Sequence, residues 1–245
     1  EQHAAAADDL GCRSESFTYN DTIIFLEYAV DVAEACRARG VRTVAVTAGY
    51  IDPEPREKFF PAMQAANVDL KAFNDDFYYR ICGGRLAPIL ETLEYIRHET
   101  DTWLELTTLL IPGENDSDAE LDAMTRWVVE RLGPDVPMHF TAFHPDWKMR
   151  DIAPTPGTTL SRARRIAMAN GVRYAYTGNV SDPRGGSTWC SGCGEQLIER
   201  DRYRLGTWQL DEAGSCNHCG TAVAGRFAAG PEDFGARRVP VRIAH

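Results

Sequence analysis

The chain has 245 residues, of which 44% are hydrophobic, and this length supports one sizeable core with a small appendage. Its 26 basic and 36 acidic residues give a formal net charge of −10, and no basic stripe interrupts that acidity, which argues against a nucleic-acid partner. Charged residues break the apolar runs well short of a membrane span, and the sequence shows no secretory signal. We therefore expect a cytoplasmic protein with no membrane partner.

Helical and extended patterns alternate along the chain in a regular order. The opening stretch AAAADDLG is predicted to be helical. Predicted strands follow at 14–20, 42–49, 67–74, 103–111, 138–143 and 172–178, and predicted helices occupy 22–39, 54–66, 86–99 and 160–170. A further helix is expected between a Ser117-x-x-Glu120 capping box and Gly133. This repetition predicts an α/β fold with a parallel sheet, and because no G-x-G-x-x-G follows the first strand, it favours a barrel or partial barrel over a dinucleotide-binding fold.

Polar residues recur at alternate positions of the predicted strands. Successive side chains of a strand point to opposite faces, so these residues share one face of each strand. The sets are Ser16, Thr18 and Asn20; Thr43 and Thr47; Asp69 and Lys71; Glu105 and Thr107. A closed eight-stranded barrel fills its interior with branched apolar residues. The pattern instead predicts an open interior lined by polar groups.

Asp69 and Lys71 place two charges on one side of an otherwise apolar strand. Unpaired charges in a dry core cost several kcal/mol each, so both need partners or a ligand. Ligand sites of strand–helix folds form at the carboxyl ends of strands, where this pair lies. The alternative is that the two residues neutralise Glu105 or each other.

Four of the seven cysteines lie in two short motifs, CSGCG at 190–194 and CNHCG at 216–220. Two C-x2-C-G turns predict a tetrahedral thiolate site formed by Cys190, Cys193, Cys216 and Cys219. Zinc is the preferred metal, while rubredoxin-like iron and an auxiliary iron–sulfur cluster stay open. His218 is expected to lie outside the closed shell. The motifs predict a metal-binding domain of the zinc-ribbon or rubredoxin type at 181–226, followed by a tail at 227–245.

The ends of the predicted strands read YNDT, TAGY, DLKAFN, TLLIPGENDSD and FTAFHP. In this order they resemble radical S-adenosylmethionine (SAM) enzymes of the pyruvate formate-lyase-activating type, most closely the radical SAM component of the AmmeMemoRadiSam system. The resemblance runs from about residue 11 to residue 220. It implies that residues 1–180 form a partial (βα)6 TIM-like barrel whose polar cavity holds SAM against a [4Fe-4S] cluster.

The resemblance implies SAM contacts at the first strand end. Tyr19-Asn20-Asp21 occupies the place of a family motif whose backbone and carboxylate hold the methionine amine of SAM. Closer relatives have Glu where this chain has Asp21. The Asp side chain keeps the charge, but its carboxylate reaches one methylene less far. The alternative is that Asn20 or Asp21 caps the following helix, and both roles are compatible.

The resemblance implies further SAM contacts at later strand ends. Asp69, Leu70 and Lys71 align with a segment that contacts the carboxylate and ribose of SAM, and a Lys ammonium is a suitable carboxylate partner. His144 matches a family histidine near the nucleoside. Thr47 also lies on the predicted interior face, but a hydroxyl bonded within the protein is the favoured interpretation there.

The C-x3-C-x2-C motif that binds the cluster in this family is absent from the sequence. Cys12, Cys36 and Cys82 are expected to be core residues or incidental thiols. We expect the chain to be N-terminally truncated, with the motif upstream, so that the chain alone generates no radical. Loss of the cluster loop is the alternative. The sequence does not identify catalytic residues.

The resulting function hypothesis is a radical SAM enzyme that cleaves SAM reductively to a 5′-deoxyadenosyl radical. Its expected partners are SAM, an unidentified substrate for which a protein is one candidate, and an electron donor such as flavodoxin or ferredoxin. Two alternatives stay open: a Schiff-base lyase with Lys71 as nucleophile, and a non-catalytic zinc-ribbon scaffold that binds a partner. Sequons for N-glycosylation at Asn20, Asn115 and Asn179 carry no meaning in a cytosolic protein.

Overall fold

A computed structural model describes residues 1–202, 204–227, 230, 240 and 241. Over these residues the chain divides into two compact units. The first comprises Glu1–Leu70, Asn74–Thr107 and the described residues 240 and 241, and the second comprises Lys71–Phe73 and the described residues between Thr108 and Arg238. Most of the predicted tail at 227–245 lies outside the described residues.

The first unit alternates helices with parallel strands. In chain order its regular elements are α1 (Gln2–Asp9), β1 (Ser14–Phe17), α2 (Leu26–Arg37), β2 (Arg42–Thr47), α3 (Pro53–Phe59), β3 (Ala65–Asp69), α4 (Asp75–Phe77), α5 (Ala87–Glu99) and the greater part of β4 (Trp103–Leu110). Strands β1 to β4 pair in parallel with their sequence neighbours. Short helices of other types follow Asp21, Phe59 and Phe77.

The second unit continues this pattern and adds a small antiparallel sheet. Its elements are α6 (Asp118–Arg131), β5 (Met138–Ala142), α7 (Gly157–Ala169), β6 (Ala175–Gly178), α8 (Pro183–Gly186), β7 (Thr188–Trp189), β8 (Gln196–Asp201) and β9 (Arg204–Trp208). The parallel strands are ordered β1-β2-β3-β4-β5-β6 and the antiparallel strands β7-β8-β9. The predicted parallel α/β architecture is therefore confirmed.

Several predicted elements are shorter in the structure than in the sequence pattern. The strand expected at 67–74 is β3, which ends at Asp69, so that Lys71 follows the strand rather than lying inside it. The strand expected at 172–178 begins at Ala175. The helix expected at 54–66 ends early because Pro61 belongs to a short 3-10 turn, and Ala65 already starts β3.

For β2 the sequence pattern assigns the wrong residues to the polar face, and the assignment is off by one position. Val46 aligns with Asn67, which aligns with Glu105, whereas Thr47 aligns with Val68. Aligned residues of neighbouring strands share a face, so it is Val46 that lies on the polar face. Thr43 and Thr47 are buried on the face that the helices cover.

Hydrogen bonds explain why threonine is tolerated on that covered face. The Thr43 hydroxyl and backbone N–H both donate to Oε1 of Gln64, at 3.0 and 2.7 Å. A buried hydroxyl is costly only when it lacks a partner. Alternation of residue types therefore could not distinguish these threonines from residues of an open face.

The opposite face of the first unit matches the prediction for the other strands. Asn67 and Asp69 of β3 and Glu105 and Thr107 of β4 are half-buried, while the intervening Val68 and Leu106 are fully buried. On this polar face the Thr107 hydroxyl donates to Oδ1 of Asn67 at 2.8 Å. The face is thus polar and partly open to solvent, as the alternation predicts.

The antiparallel sheet packs around a small core of its own. The core contains two of the four clustered cysteines, and its buried members are Tyr174, Cys190, Leu197, Ile198, Leu210, Cys216 and Val223. Tyr174 immediately precedes β6, and its hydroxyl accepts a hydrogen bond from the backbone N–H of Ala224 at 3.2 Å. Strands β7–β9 and the cysteine motifs at 190–194 and 216–220 are together called the ribbon. The ribbon therefore shares its core with the start of β6.

Within the part of the chain that the structure describes, every helix is too short or too polar to cross a membrane.

Candidate functional site

The Asp21 carboxylate ties together the carboxyl ends of β1 and β2. Its Oδ1 accepts hydrogen bonds from the backbone N–H of Ile23 (3.1 Å) and the Thr47 hydroxyl (2.6 Å), and its Oδ2 accepts one from the N–H of Ala48 (2.9 Å). An ionised carboxylate accepts about four hydrogen bonds, so three of these positions are used within the protein. Asp21 is therefore the N-cap of the following turn, as the capping interpretation expects.

The residues beside Asp21 are turned toward solvent. Asn20 is exposed, and Tyr19 is 86% exposed with a backbone φ of 74°. A bulky residue in the left-handed region is uncommon and marks a constrained turn. Thr47, in contrast, is buried, and its hydroxyl donates to Asp21 and accepts from the N–H of Gly49 (3.0 Å), so its hydroxyl is bonded within the protein as favoured.

Asp69 closes β3 on the polar face of the first unit. Its side chain is half-buried, and the next residue, Leu70, is fully buried. Lys71 belongs to the second unit and is half-buried as well. Both residues are therefore partly accessible to solvent.

Two side chains that the sequence did not single out as site residues hold the backbone beside Lys71. The Asn115 side chain donates to the carbonyl oxygen of Lys71 at 2.6 Å, and Oε1 of Glu120 accepts from the N–H of Phe73 at 2.7 Å. The sequence offered only a sequon at Asn115 and a capping box at Glu120. The predicted N-cap is present, since the Ser117 hydroxyl accepts a hydrogen bond from the N–H of Glu120 at 3.3 Å. The Glu120 carboxylate accepts the hydrogen bond from Phe73.

His144 follows β5 and is strongly exposed. Its Nδ1 lies 3.5 Å from Oδ2 of Asp146, and both side chains are 82% exposed. The structure thus places His144 in an open loop of the second unit, where it can reach a ligand or solvent.

The four clustered cysteines form a candidate metal centre. All four Sγ atoms lie within 4.8 Å of one another, with 3.6 Å between Cys190 and Cys219 and 3.7 Å between Cys193 and Cys216. A tetrahedral ion with metal–sulfur bonds of about 2.3 Å separates its thiolates by about 3.8 Å. The predicted ligands therefore have the spacing for a single ion.

Local backbone geometry shapes both cysteine turns. Gly194 and Gly220, which end the two motifs, have φ values of 79° and 73°, which only glycine adopts without strain. The N–H of Gly192 donates to Sγ of Cys190 at 3.4 Å. Hydrogen bonds from the hydroxyl and the backbone N–H of Thr221 lower the pKa of Cys219 to about 6, which favours the thiolate that a metal requires.

The other cysteines and His218 lie outside this centre. His218 is exposed and is not part of the ligand group, as expected. Cys36 is a core residue whose thiol donates to Oε2 of Glu15 at 3.4 Å, and burial together with Glu15 raises its pKa to about 11. Cys12 and Cys82 are exposed cysteines.

A protein-family comparison identifies the larger part of the parallel sheet. The family model described as the radical SAM superfamily matches residues 1–124, which is half of the chain. The chain belongs to the radical SAM superfamily. Membership implies the use of SAM and of an iron–sulfur cluster, and it confirms the resemblance seen in the strand ends.

One relative is similar over most of the chain. The uncharacterized protein MJ0808 of Methanocaldococcus jannaschii is 38% identical over 213 residues, which cover 86% of this chain. The chain spans 63% of the length of that relative.

Two solved structures share the fold. A domain of pyruvate-formate lyase-activating enzyme from Bacteroides vulgatus ATCC 8482 matches 67% of this chain and 98% of its own, with a TM-score of 0.59 and 14% identity. Streptococcus suis SuiB bound to S-adenosylmethionine matches 72% of this chain and 40% of its own, with a TM-score of 0.56 and 11% identity. At these identities the likeness concerns the fold alone.

Proposed function

We propose that this radical SAM chain binds SAM at the carboxyl end of its parallel strands, with Asp69 and Lys71, which flank the buried Leu70, as the central contacts. The observation that carries the proposal is the half-buried pair of charges, Asp69 and Lys71, where β3 ends on the polar face. The ammonium of Lys71 suits the SAM carboxylate, and the Asp69 carboxylate suits the ribose hydroxyls as an acceptor.

Asn20, Asp21 and His144 complete the proposed SAM contacts. Asp21 already accepts three hydrogen bonds, so one acceptor position remains for the methionine amine. Asn20 is an exposed residue next to Asp21, and His144 is exposed and is the proposed contact with the nucleoside.

An iron–sulfur cluster, when bound, supplies the electron that splits SAM into methionine and a 5′-deoxyadenosyl radical. Within the described residues, the ribbon centre is the single group of clustered cysteines, and its sulfur spacing suits one ion. A cubane cluster places four irons between its thiolates and holds them farther apart. We therefore assign a single structural ion with a closed shell to the ribbon, with zinc as the preferred metal and rubredoxin-like iron as the alternative, and we do not assign the cluster to it.

The finer identity rests on the order of the strand-end motifs. We propose that the chain acts as the radical SAM component of an AmmeMemoRadiSam system, with a protein as candidate substrate and flavodoxin or ferredoxin as electron donor. The test is release of 5′-deoxyadenosine from SAM by the whole protein under reducing conditions. Absence of both SAM binding and release would favour the non-catalytic scaffold, whereas retained SAM binding would argue against it.

Calorimetric titration with SAM tests the proposed contacts in the whole protein. We expect Asp69→Ala and Lys71→Ala each to weaken binding about tenfold, equivalent to about 1.4 kcal/mol. Lys58→Ala, which removes an exposed ammonium from α3, is the matched control and should bind as wild type. Unchanged affinity in both site variants would refute the assignment.

A further inference from the structure

The pairing of β3 with β4 ends just before Lys71. The last aligned residues are Asp69 and Thr107, so continuation of the parallel ladder would bring Lys71 opposite Leu109. Instead, the side-chain amide of Asn115 donates to the carbonyl oxygens of both residues, at 2.6 Å for Lys71 and 2.9 Å for Leu109. One side chain thus replaces the next step of the ladder.

A third hydrogen bond, accepted by its side-chain oxygen, holds Asn115 in this position. Its side chain is fully buried, and its Oδ1 accepts from the backbone N–H of Ile111 at 2.7 Å. The site therefore requires two donors and one acceptor from the same planar group, which only a carboxamide provides. An aspartate of the same shape keeps the acceptor and loses both donors.

Two further contacts anchor the segment on the other side of buried Ala72. Glu120, in the first turn of α6, accepts the hydrogen bond from the N–H of Phe73, and the Phe73 ring lies 6.0 Å from the ring of Trp127 in the same helix. All of these contacts lie within the second unit. The backbone from Lys71 to Phe73 is thus fixed at both ends by side chains remote in sequence.

We propose that Asn115 is a positioning residue for SAM binding, assisted by Glu120. By fixing the carbonyl of Lys71, Asn115 fixes the backbone from which the lysine ammonium extends toward the SAM carboxylate. This inference rests on the proposed function, since it assumes that Lys71 makes that contact. It adds a residue that touches no ligand and acts through Lys71.

The test compares two ligands in the whole protein. SAM carries the carboxylate, and decarboxylated SAM lacks it. We expect Asn115→Asp to weaken SAM binding about fivefold or more while changing the affinity for decarboxylated SAM by less than about twofold. Lys71→Ala should show the same selectivity, and the double variant should bind SAM no more weakly than Lys71→Ala alone, because the two residues act through one contact.

Glu120 provides a variant at a less buried position, in case Asn115→Asp folds poorly. Glu120→Ala removes the acceptor for Phe73 and should weaken SAM selectively, whereas Glu120→Gln keeps an acceptor oxygen and should bind as wild type. Equal weakening for both ligands, additive effects in the double variant, or unchanged SAM affinity in Asn115→Asp and Glu120→Ala would overturn the inference. If Lys71→Ala leaves SAM affinity unchanged, the proposed function fails first, and the inference fails with it.

Discussion

The parallel sheet and the cysteine ribbon reach a folded state by different means. The core of the parallel sheet consists of fully buried apolar side chains, among them Leu70, Ile89 and Leu106. The ribbon has a core of seven buried residues, and two of these, Cys190 and Cys216, are also candidate metal ligands. Apolar burial can hold the first region without a ligand, whereas the second depends on what its thiolates bind.

The two regions also use polar groups differently. At the strand ends, Asp21 and Asn115 replace missing backbone partners by side-chain hydrogen bonds, which leaves other groups at those ends for a ligand. In the ribbon, four polar groups converge on one point and leave no open position around a tetrahedral ion. The strand ends are therefore suited to ligand binding, and the ribbon is suited to a structural role.

Loss of one ribbon thiolate is the change with the largest expected effect. Structural zinc contributes about 10–16 kcal/mol of apparent binding free energy, and three remaining ligands leave the shell open. We expect Cys216→Ser to lose its metal and the amides of β7, β8 and β9 to lose protection in hydrogen–deuterium exchange. Because Tyr174 belongs to the ribbon core, the loss should reach the start of β6.

Elemental analysis and exchange on the same samples distinguish the outcomes. Cys82→Ser, at an exposed cysteine outside the two motifs, is the control and should keep both metal and protection. Full metal retention in Cys216→Ser would show that the four sulfurs do not share one ion.

Truncation of a core side chain tests the other half of the comparison. Leu106 is fully buried on β4, and Leu→Ala changes at such sites cost about 2–5 kcal/mol. We expect Leu106→Ala to lower the free energy of unfolding of the parallel sheet by that amount while the metal content stays at the wild-type level. Leu10→Ala, at an exposed leucine, should change little. Metal loss in Leu106→Ala would mean that the two regions do not fold by separate means.

A smaller effect is expected where Asp21 joins β1 to β2. Asp21→Asn keeps one acceptor oxygen but cannot accept all three hydrogen bonds, so we expect a loss of about 1–2 kcal/mol in urea unfolding. Asp31→Asn removes an exposed carboxylate from α2 and should stay within about 0.5 kcal/mol of wild type. Equal effects at both positions would show that the Asp21 bonds do not stabilise the strand ends.

A separate effect is a pH dependence of stability carried by Cys36. Folding raises the pKa of this thiol from its ordinary 9.0 to about 11, chiefly because it is buried and secondly because it donates to Glu15. The stabilisation is therefore complete below pH 9 and is lost as the pH rises toward 11. The stability difference between wild type and Cys36→Ala should narrow over that interval in urea titrations. A difference that stays constant would contradict the raised pKa.

Features set by local spacing could be predicted from the sequence, and features set by distant contacts could not. The metal ligands follow from two short motifs, and Ser117 caps α6 as its motif indicates. The face of β2 was predicted wrongly because the partners of Thr43 and Thr47 are Gln64 and Asp21, which lie 21 and 26 residues away.

Asn115 shows the same limit at the proposed site. It contacts Lys71 across 44 residues, and its own neighbours in the sequence, Glu114 and Asp116, suggest a solvated loop. Burial of a carboxamide between two strand ends depends on the register of β3 and β4. No pattern within either segment carries that information.

We propose that SAM binds at the strand ends and that the ribbon does not take part. Hydrogen–deuterium exchange of the whole protein, with and without saturating SAM, distinguishes the two regions. We expect slower exchange at residues 19–21, 69–73 and 143–145, and unchanged exchange at residues 190–220. SAM-dependent protection confined to 190–220, with none at 69–73, would contradict it.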